Sequence, residues 1–125
     1  MLAKVQLLPA GDDGGISWSK PYLHPDLVTP VCQGSVTLCS AADGHRCDKP
    51  ALLFAGPRSE TSRTNLTILA SDDNGVTFRR SLLITAGAAG YTGLQCGLPG
   101  ANDCAVVYDS GGKIDFVAFS SVDVN

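Results

Sequence analysis

The sequence predicts an all-β fold, on three observations. Its apolar runs are short, and each is bounded by Gly, Pro, Asp, Asn or Ser. Fourteen Gly and seven Pro among 125 residues supply frequent turns. No stretch keeps apolar residues at i, i+3, i+4 and i+7 for long enough to make a helix. Nine strands follow from the bounding residues. Val5–Leu8 stops at Pro9, and Ser17–Tyr22 starts after Gly14-Gly15. Ser35–Cys39 follows Gly34, and Ala51–Ala55 lies between Pro50 and Gly56. Asn65–Ala70 alternates at Leu66 and Ile68, the pattern of a half-buried strand. Val76–Ile84 leaves Asn74-Gly75, and Thr92–Cys96 ends at Gly97. Ala105–Tyr108 ends at Asp109, and Ile114–Phe119 alternates again after Gly111-Gly112.

Composition narrows the function. Nine basic against twelve acidic side chains give a net charge of −3, and the longest basic cluster is Arg79-Arg80. Phosphate binding draws on clustered Lys and Arg, so the balance argues against nucleic acid. A hydrophobic fraction of 44% with 17% charged residues is globular rather than disordered. No apolar run approaches the ~20 residues of a spanning helix. The opening residues, interrupted at Pro9, are too short for a signal peptide.

One internal repeat stands out. Ser71-Asp72-Asp73-Asn74-Gly75-Val76-Thr77-Phe78 matches Gly11-Asp12-Asp13-Gly14-Gly15-Ile16-Ser17-Trp18, with Asp73 sixty residues after Asp13. The shared pattern is Asp-x-Gly-x-(Ser/Thr)-aromatic, carried by Asp13, Gly15 and Trp18 and by Asp73, Gly75 and Phe78. Its physics is that of a turn. The carboxylate accepts backbone N–H bonds, the Gly permits positive φ, and the aromatic is expected to pack beneath. Calcium fits poorly, because Gly75 falls too early for an EF-hand loop and no Glu follows at the required distance. No metal is expected.

Hairpins repeated at this spacing suggest a β-propeller of four-stranded antiparallel blades. The chain then divides into the last two strands of one blade (1–30), a complete blade (31–86) and three strands of another (87–125). Nine strands cannot close a ring, and open outer sheets would expose unpaired edges unless more chain covers them.

Cys39 and Cys47 lie eight residues apart, as do Cys96 and Cys104. In the propeller layout each pair spans the link between a blade's first two strands. They are either cross-strand disulfides, leaving Cys32 free, or reduced and buried as small hydrophobes. Disulfides would imply an oxidising compartment, lysosomal, secreted or membrane-associated rather than cytosolic. Zinc has no support in the spacing: there is no Cys-x-x-Cys, and His45 beside Cys47 is an isolated pair.

The Asp turns occur together with Cys32-Gln33-Gly34-Ser35, Arg63-Thr64-Asn65-Leu66-Thr67, Gly87-Ala88-Ala89-Gly90-Tyr91-Thr92-Gly93-Leu94 and Val107-Tyr108-Asp109. In order and spacing, from about Val5 to Phe119, this set resembles the exo-α-sialidases (neuraminidases) of the animal type, with their Asp-box (BNR) repeats. The most specific part is Arg-x-Asn-Leu, then an Asp box, then Gly-Tyr-Thr-x-Leu.

The resemblance implies a six-bladed propeller with its site on the central axis, at the end opposite the Asp boxes. It implies hydrolysis of terminal sialic acids from glycoproteins, glycolipids or oligosaccharides, as in ganglioside and oligosaccharide catabolism, without a cofactor. By residue matching, Arg63 looks like the third of three arginines that grip the substrate carboxylate, and Tyr91 like the nucleophile. Asp109 stands where the family usually has a Glu that orients the first arginine. Each has a plainer reading: a surface arginine, a packing aromatic, and a turn residue leading into Ser110-Gly111-Gly112. Gln33 and Ser35 are further candidates near the site.

The family's first two arginines, its Asp acid/base and its Glu partner for Tyr have no matching motif here. The resemblance therefore implies the C-terminal part of a sialidase, needing the rest of the propeller as its partner and inactive alone. A second reading is a non-catalytic sialic-acid-binding or scaffold module that kept Arg63.

Overall fold

The computed structural model describes residues 4–7, 13–41, 47 and 49–125. Leu8, Gly11, Asp12 and His45, all used above, lie outside the described residues. Among the described residues there are nine strands: β1 (Lys4–Leu7), β2 (Tyr22–Val28), β3 (Ser35–Cys39), β4 (Ala51–Pro57), β5 (Thr64–Ser71), β6 (Arg80–Ala88), β7 (Thr92–Cys96), β8 (Cys104–Asp109) and β9 (Ile114–Phe119). A 3-10 turn lies at Ser121–Asp123, and among the described residues no helix is long and apolar enough to cross a membrane. The fold is all-β.

Every strand pair is antiparallel, and the strands form three sheets: β1-β2, β3-β4-β5-β6 and β7-β8-β9. The inner strands β4 and β5 of the four-stranded sheet are buried on both faces, their successive side chains pointing to opposite sides, while β3 and β6 are partly exposed. Leu53, Ala55, Leu66, Ile68 and Ala70 pack with Leu94, Val106, Tyr108 and Phe119 of the three-stranded sheet. Phe54 and Leu69 instead join Leu27 of β2 and Phe78. Removing each large core side chain from water contributes about 1.5–3 kcal/mol.

Two strands differ from expectation. The sequence places strands at Ser17–Tyr22 and Val76–Ile84, but β2 and β6 begin five and four residues later. The Asp turns consume the intervening chain. Asp13 accepts from the Ser17 N–H and Oγ–H, and Asp73 accepts from the Thr77 N–H at 2.8 Å and Oγ1–H at 2.7 Å. Pro25 sits inside β2, where it is tolerated because β2 pairs only with β1 among the described residues. The register slips there, between Lys4 and Gln6.

The two turns share their backbone. Gly14 and Gly15 have φ of 70° and 91°, and Asn74 and Gly75 have 60° and 82°. Their aromatics differ. Phe78 is buried, edge-on to His24 at 5.3 Å. Trp18 was expected to pack beneath its turn, yet it is 58% exposed and lies against Gly15. Phe78 has β2 of the preceding sheet to pack on, and Trp18 has no such sheet among the described residues.

Candidate functional site

Strand direction decides which residues can meet. β5 starts at Thr64 and ends at Ser71, so Arg63 and Asp73 lie at opposite ends of one strand, about 26 Å of extended chain apart. The segment after β6 turns back at the Arg63 end. There the Ala89 N–H donates to the Arg63 carbonyl at 2.8 Å. One residue later the chain joins the next sheet: the Gly90 N–H donates to the Asp109 carbonyl, and the Asp109 N–H to the Tyr91 carbonyl at 3.1 Å. A continuous set of backbone hydrogen bonds thus gathers Arg63, Tyr91 and Asp109.

The side chains of two of them touch. Arg63 Cζ lies 4.8 Å from the centroid of the Tyr91 ring, a cation–π contact that contributes about 0.5–1 kcal/mol at an exposed position. The Arg63 Nη2–H also donates to the Val31 carbonyl at 3.1 Å. The adjoining Tyr91 side chain is the main influence holding the guanidinium above its ordinary pKa, with the Cys32 and Asp109 charges acting the same way. Arg63 is therefore a fixed positive charge. Both residues are open to solvent, Tyr91 at 52%.

Asp109 is committed in part. Its Oδ1 accepts from the Gly111 N–H at 2.9 Å and from the Gly112 N–H at 3.2 Å, closing the β8–β9 hairpin. Both glycines have positive φ, at 83° and 95°, which this turn requires. Oδ2 faces Gly90, where an added Cβ would come within 3.3 Å of it.

Beneath Tyr91 the two sheets are bound by a polar clasp. The Gln33 amide donates to the Thr92 carbonyl at 3.2 Å and accepts from the Thr92 N–H at 3.3 Å. The Thr92 hydroxyl donates to the Ala55 carbonyl at 3.0 Å and meets Ser35 Oγ at 2.9 Å. Gln33 and Ser35 thus brace the segment carrying Tyr91. Cys32, in no disulfide and half-buried, lies beside them, its Sγ–H donating to the Gln33 carbonyl at 3.8 Å. Burial pushes its thiol up, and the Arg63 charge pulls it the other way.

The remaining sequence candidates sit elsewhere. Disulfides join Cys39 to Cys47 and Cys96 to Cys104, with Cα separations of 5.8 Å and 4.0 Å. Both lie at the far end of β3 and β7 from Ser35 and Thr92. A cavity of about 330 Å³ opens at that far end as well, beside Lys49, Asp72, Arg80 and Asn125. Arg80 is occupied there, bonding both carboxylate oxygens of Asp72 and the Val124 carbonyl. This cavity does not reach Arg63 and Tyr91, whose side chains are exposed to solvent.

One residue went unnoticed in the sequence. His24 is buried, with Nε2 3.1 Å from the Gly75 carbonyl oxygen and 3.2 Å from that of Val76, and Nδ1 accepting from the Asp26 N–H. Asp26 in turn accepts from the Phe78 N–H at 3.0 Å. This strand of the two-stranded sheet grips the Asp73 turn of the next.

No family model matches the chain, and no curated protein matches it. Among solved structures it is similar to one described as the Hadza microbial sialidase Hz136, with 30% sequence identity and a TM-score of 0.74. The match covers 90% of this chain and 22% of that one, so the chain spans less than a quarter of the protein it resembles. The nine antiparallel strands in their three sheets are a sialidase-like fold.

Proposed function

We propose that this chain supplies Arg63 and Tyr91 to the active site of an exo-α-sialidase, as the C-terminal part of a six-bladed propeller. Residues 1–30, 31–86 and 87–125 would belong to three successive blades, with the acid/base and the other arginines on the remainder. The observation that carries the reading is the guanidinium 4.8 Å from the phenol ring, at the end of the sheets opposite the Asp turns. An open surface at this point is what a site walled by further blades would leave on one part of the ring.

The chemistry suits these two groups. Sialic acid bears its carboxylate on the anomeric carbon. A guanidinium can form two parallel charge-assisted bonds to that carboxylate, which a Lys cannot copy. A carboxylate nucleophile would approach an anion, whereas a phenol meets less repulsion, and Tyr-using sialidases are an exception among glycosidases. Tyr91 Oη would pass its proton to a carboxylate base on the remainder of the ring and bond to the anomeric carbon as the leaving group, protonated by the acid, departs. Water, giving one proton back to that acid, would then release the sugar while Tyr91 takes its proton back from the base. The chain alone is expected to be inactive, because orientation and electrostatics act as a unit.

Complementation tests this. The chain mixed with a polypeptide carrying the upstream sheets should cleave a fluorogenic sialoside, and Arg63→Lys should raise KM by about tenfold or more, since one charge-assisted bond is worth roughly 1.5–3 kcal/mol. An Arg63→Lys mixture as active as the parent mixture would remove Arg63 from substrate recognition. A mixture without turnover whose isolated chain still binds free sialic acid would favour the non-catalytic reading.

A further inference from the structure

The two disulfides meet at Cys39. Cys39 ends β3 and Cys96 ends β7, strands that pack against each other between neighbouring sheets, and Cys104 stands opposite Cys96 on β8. The Sγ atoms of Cys39, Cys96 and Cys104 all lie within 4.8 Å of one another. Cys39 Sγ, Cys47 Sγ and a carboxylate oxygen of Asp103 form a second such group. Cys39 belongs to both. All five residues are buried, and Cys39, Cys104 and Asp103 are fully so.

Stapling alone does not call for this convergence. Each bridge closes an eight-residue separation within its own sheet, and loop length, not the distance to another bridge, sets what a disulfide contributes. Sequence spacing gives no zinc signature either. The tertiary fold creates the cluster by stacking β3 on β7.

We propose that the four sulfurs are a two-state centre: two disulfides when oxidised and, when reduced, a thiolate cage for one Zn²⁺. Zinc binds thiolates tetrahedrally at about 2.3 Å, which sets its ligand sulfurs roughly 3.8 Å apart. The Sγ atoms of Cys39, Cys96 and Cys104, already within 4.8 Å of one another, need only small side-chain rotations to reach that spacing, whereas Cys47 Sγ, within 4.8 Å of Cys39, must swing toward the other two. Cys39, Cys96 and Cys104 supply three ligands, and Cys47 the fourth once its bond to Cys39 opens. Soft thiolates select zinc over calcium or magnesium.

The steps balance with a dithiol as reductant. Each disulfide takes two electrons and two protons from one dithiol, which leaves as its own disulfide. Zinc then replaces the four thiol protons, which pass to solvent. Asp103 acts as a positioning residue. Its carboxylate accepts from the Ser121 N–H at 2.7 Å and Oγ–H at 2.6 Å, and its carbonyl accepts from the Gly97 and Leu98 N–H groups. It thereby fixes the hairpin that carries Cys96 and Cys104. The centre is separated from Tyr91 by the length of β7, so its fate does not depend on the sialidase reading.

The test uses the 125-residue chain, reduced without air by a phosphine, which does not compete for the metal, and titrated with Co²⁺ as a coloured stand-in. One Co²⁺ per chain should bind with the absorption of a tetrahedral thiolate site, yield to Zn²⁺, and fail to bind before reduction. Alkylation of the zinc-loaded chain, read by peptide mass, should modify Cys32 and spare the other four; this readout needs no variant. Cys32→Ser should leave binding unchanged and Cys39→Ser should abolish it. A reduced chain that takes up no metal, a thiolate spectrum that survives Cys39→Ser, or Cys32 protected equally with the rest would each overturn the proposal.

Discussion

The guanidinium of Arg63 lies over the ring of Tyr91, 4.8 Å from its centroid, although the first residue precedes β5 of one sheet and the second precedes β7 of the next. The join between the sheets makes the meeting possible. Ala89 bonds to Arg63, and Gly90 and Tyr91 bond to Asp109, so three residues of connecting chain serve both sheets. Side chains at 63 and 91 therefore start from backbones already tied together.

The clasp beneath Tyr91 should be energetically visible. Thr92→Val keeps the shape but removes the hydroxyl that bonds Ala55 and Ser35. In a buried position that leaves both partners without this contact and should cost about 1–3 kcal/mol. Urea unfolding measures it, and the Ser35→Ala, Thr92→Val double-mutant cycle should show coupling between the two sites. Additive effects would mean that the hydroxyls do not act together.

Gly34 allows the closest backbone approach in this region. A Cβ there would meet Phe54 Cζ at 2.6 Å and the Ala55 carbonyl oxygen at 3.0 Å. Gly34→Ala should therefore destabilise by about 1–3 kcal/mol, the usual range for overpacking. Because Phe54 is itself core, Phe54→Leu should cost less in the Gly34→Ala background than alone. A lower urea midpoint for Gly34→Ala checks the first expectation, and an unchanged midpoint contradicts it.

Asp73 gives the turn an acid limit. Hydrogen bonds from Thr77 N–H, Thr77 Oγ1–H and Ser71 Oγ–H lower its pKa from 3.8 to about 2. A folded pKa below the unfolded one contributes stability that is fully present above the ordinary value and is lost as pH falls through the folded value. Asp13, bonded by Ser17, and Asp72, bonded by Arg80, shift in the same direction. Asp73→Asn should thus lower the urea midpoint near neutral pH, and the difference from wild type should shrink as pH falls from about 4 towards 2. A difference that widened on acidification would contradict this account.

Much of the fold is legible because strand alternation and turn residues are local signals. Leu66 and Ile68 flank the polar Thr67 and mark a strand, though β5 is buried on both faces rather than half-buried as the alternation predicts, and Gly111-Gly112 marks the last hairpin. The late starts of β2 and β6 were harder to see, because Ser17 and Thr77 carry strand-like chemistry but spend their N–H and hydroxyl groups on Asp13 and Asp73. His24 and the gathered sulfurs depend on which sheet lies beside which, and no periodicity encodes that. The pairing of Arg63 with Tyr91 rested on the order of motifs along the chain. What connects them physically, the bonds of residues 89–91 to both sheets, appears only in three dimensions.

Covalent capture addresses the proposed role of Tyr91 most directly. The reassembled protein would be exposed to a fluorinated sialoside, whose ring fluorine slows release of a glycosyl–enzyme intermediate, and digested for peptide mass spectrometry. The account predicts a sialosyl adduct on Tyr91, lost in Tyr91→Phe together with at least ~10³-fold of the turnover, the scale on which removing a nucleophile acts. An adduct on another residue, or Tyr91→Phe turnover equal to the parent, would contradict it.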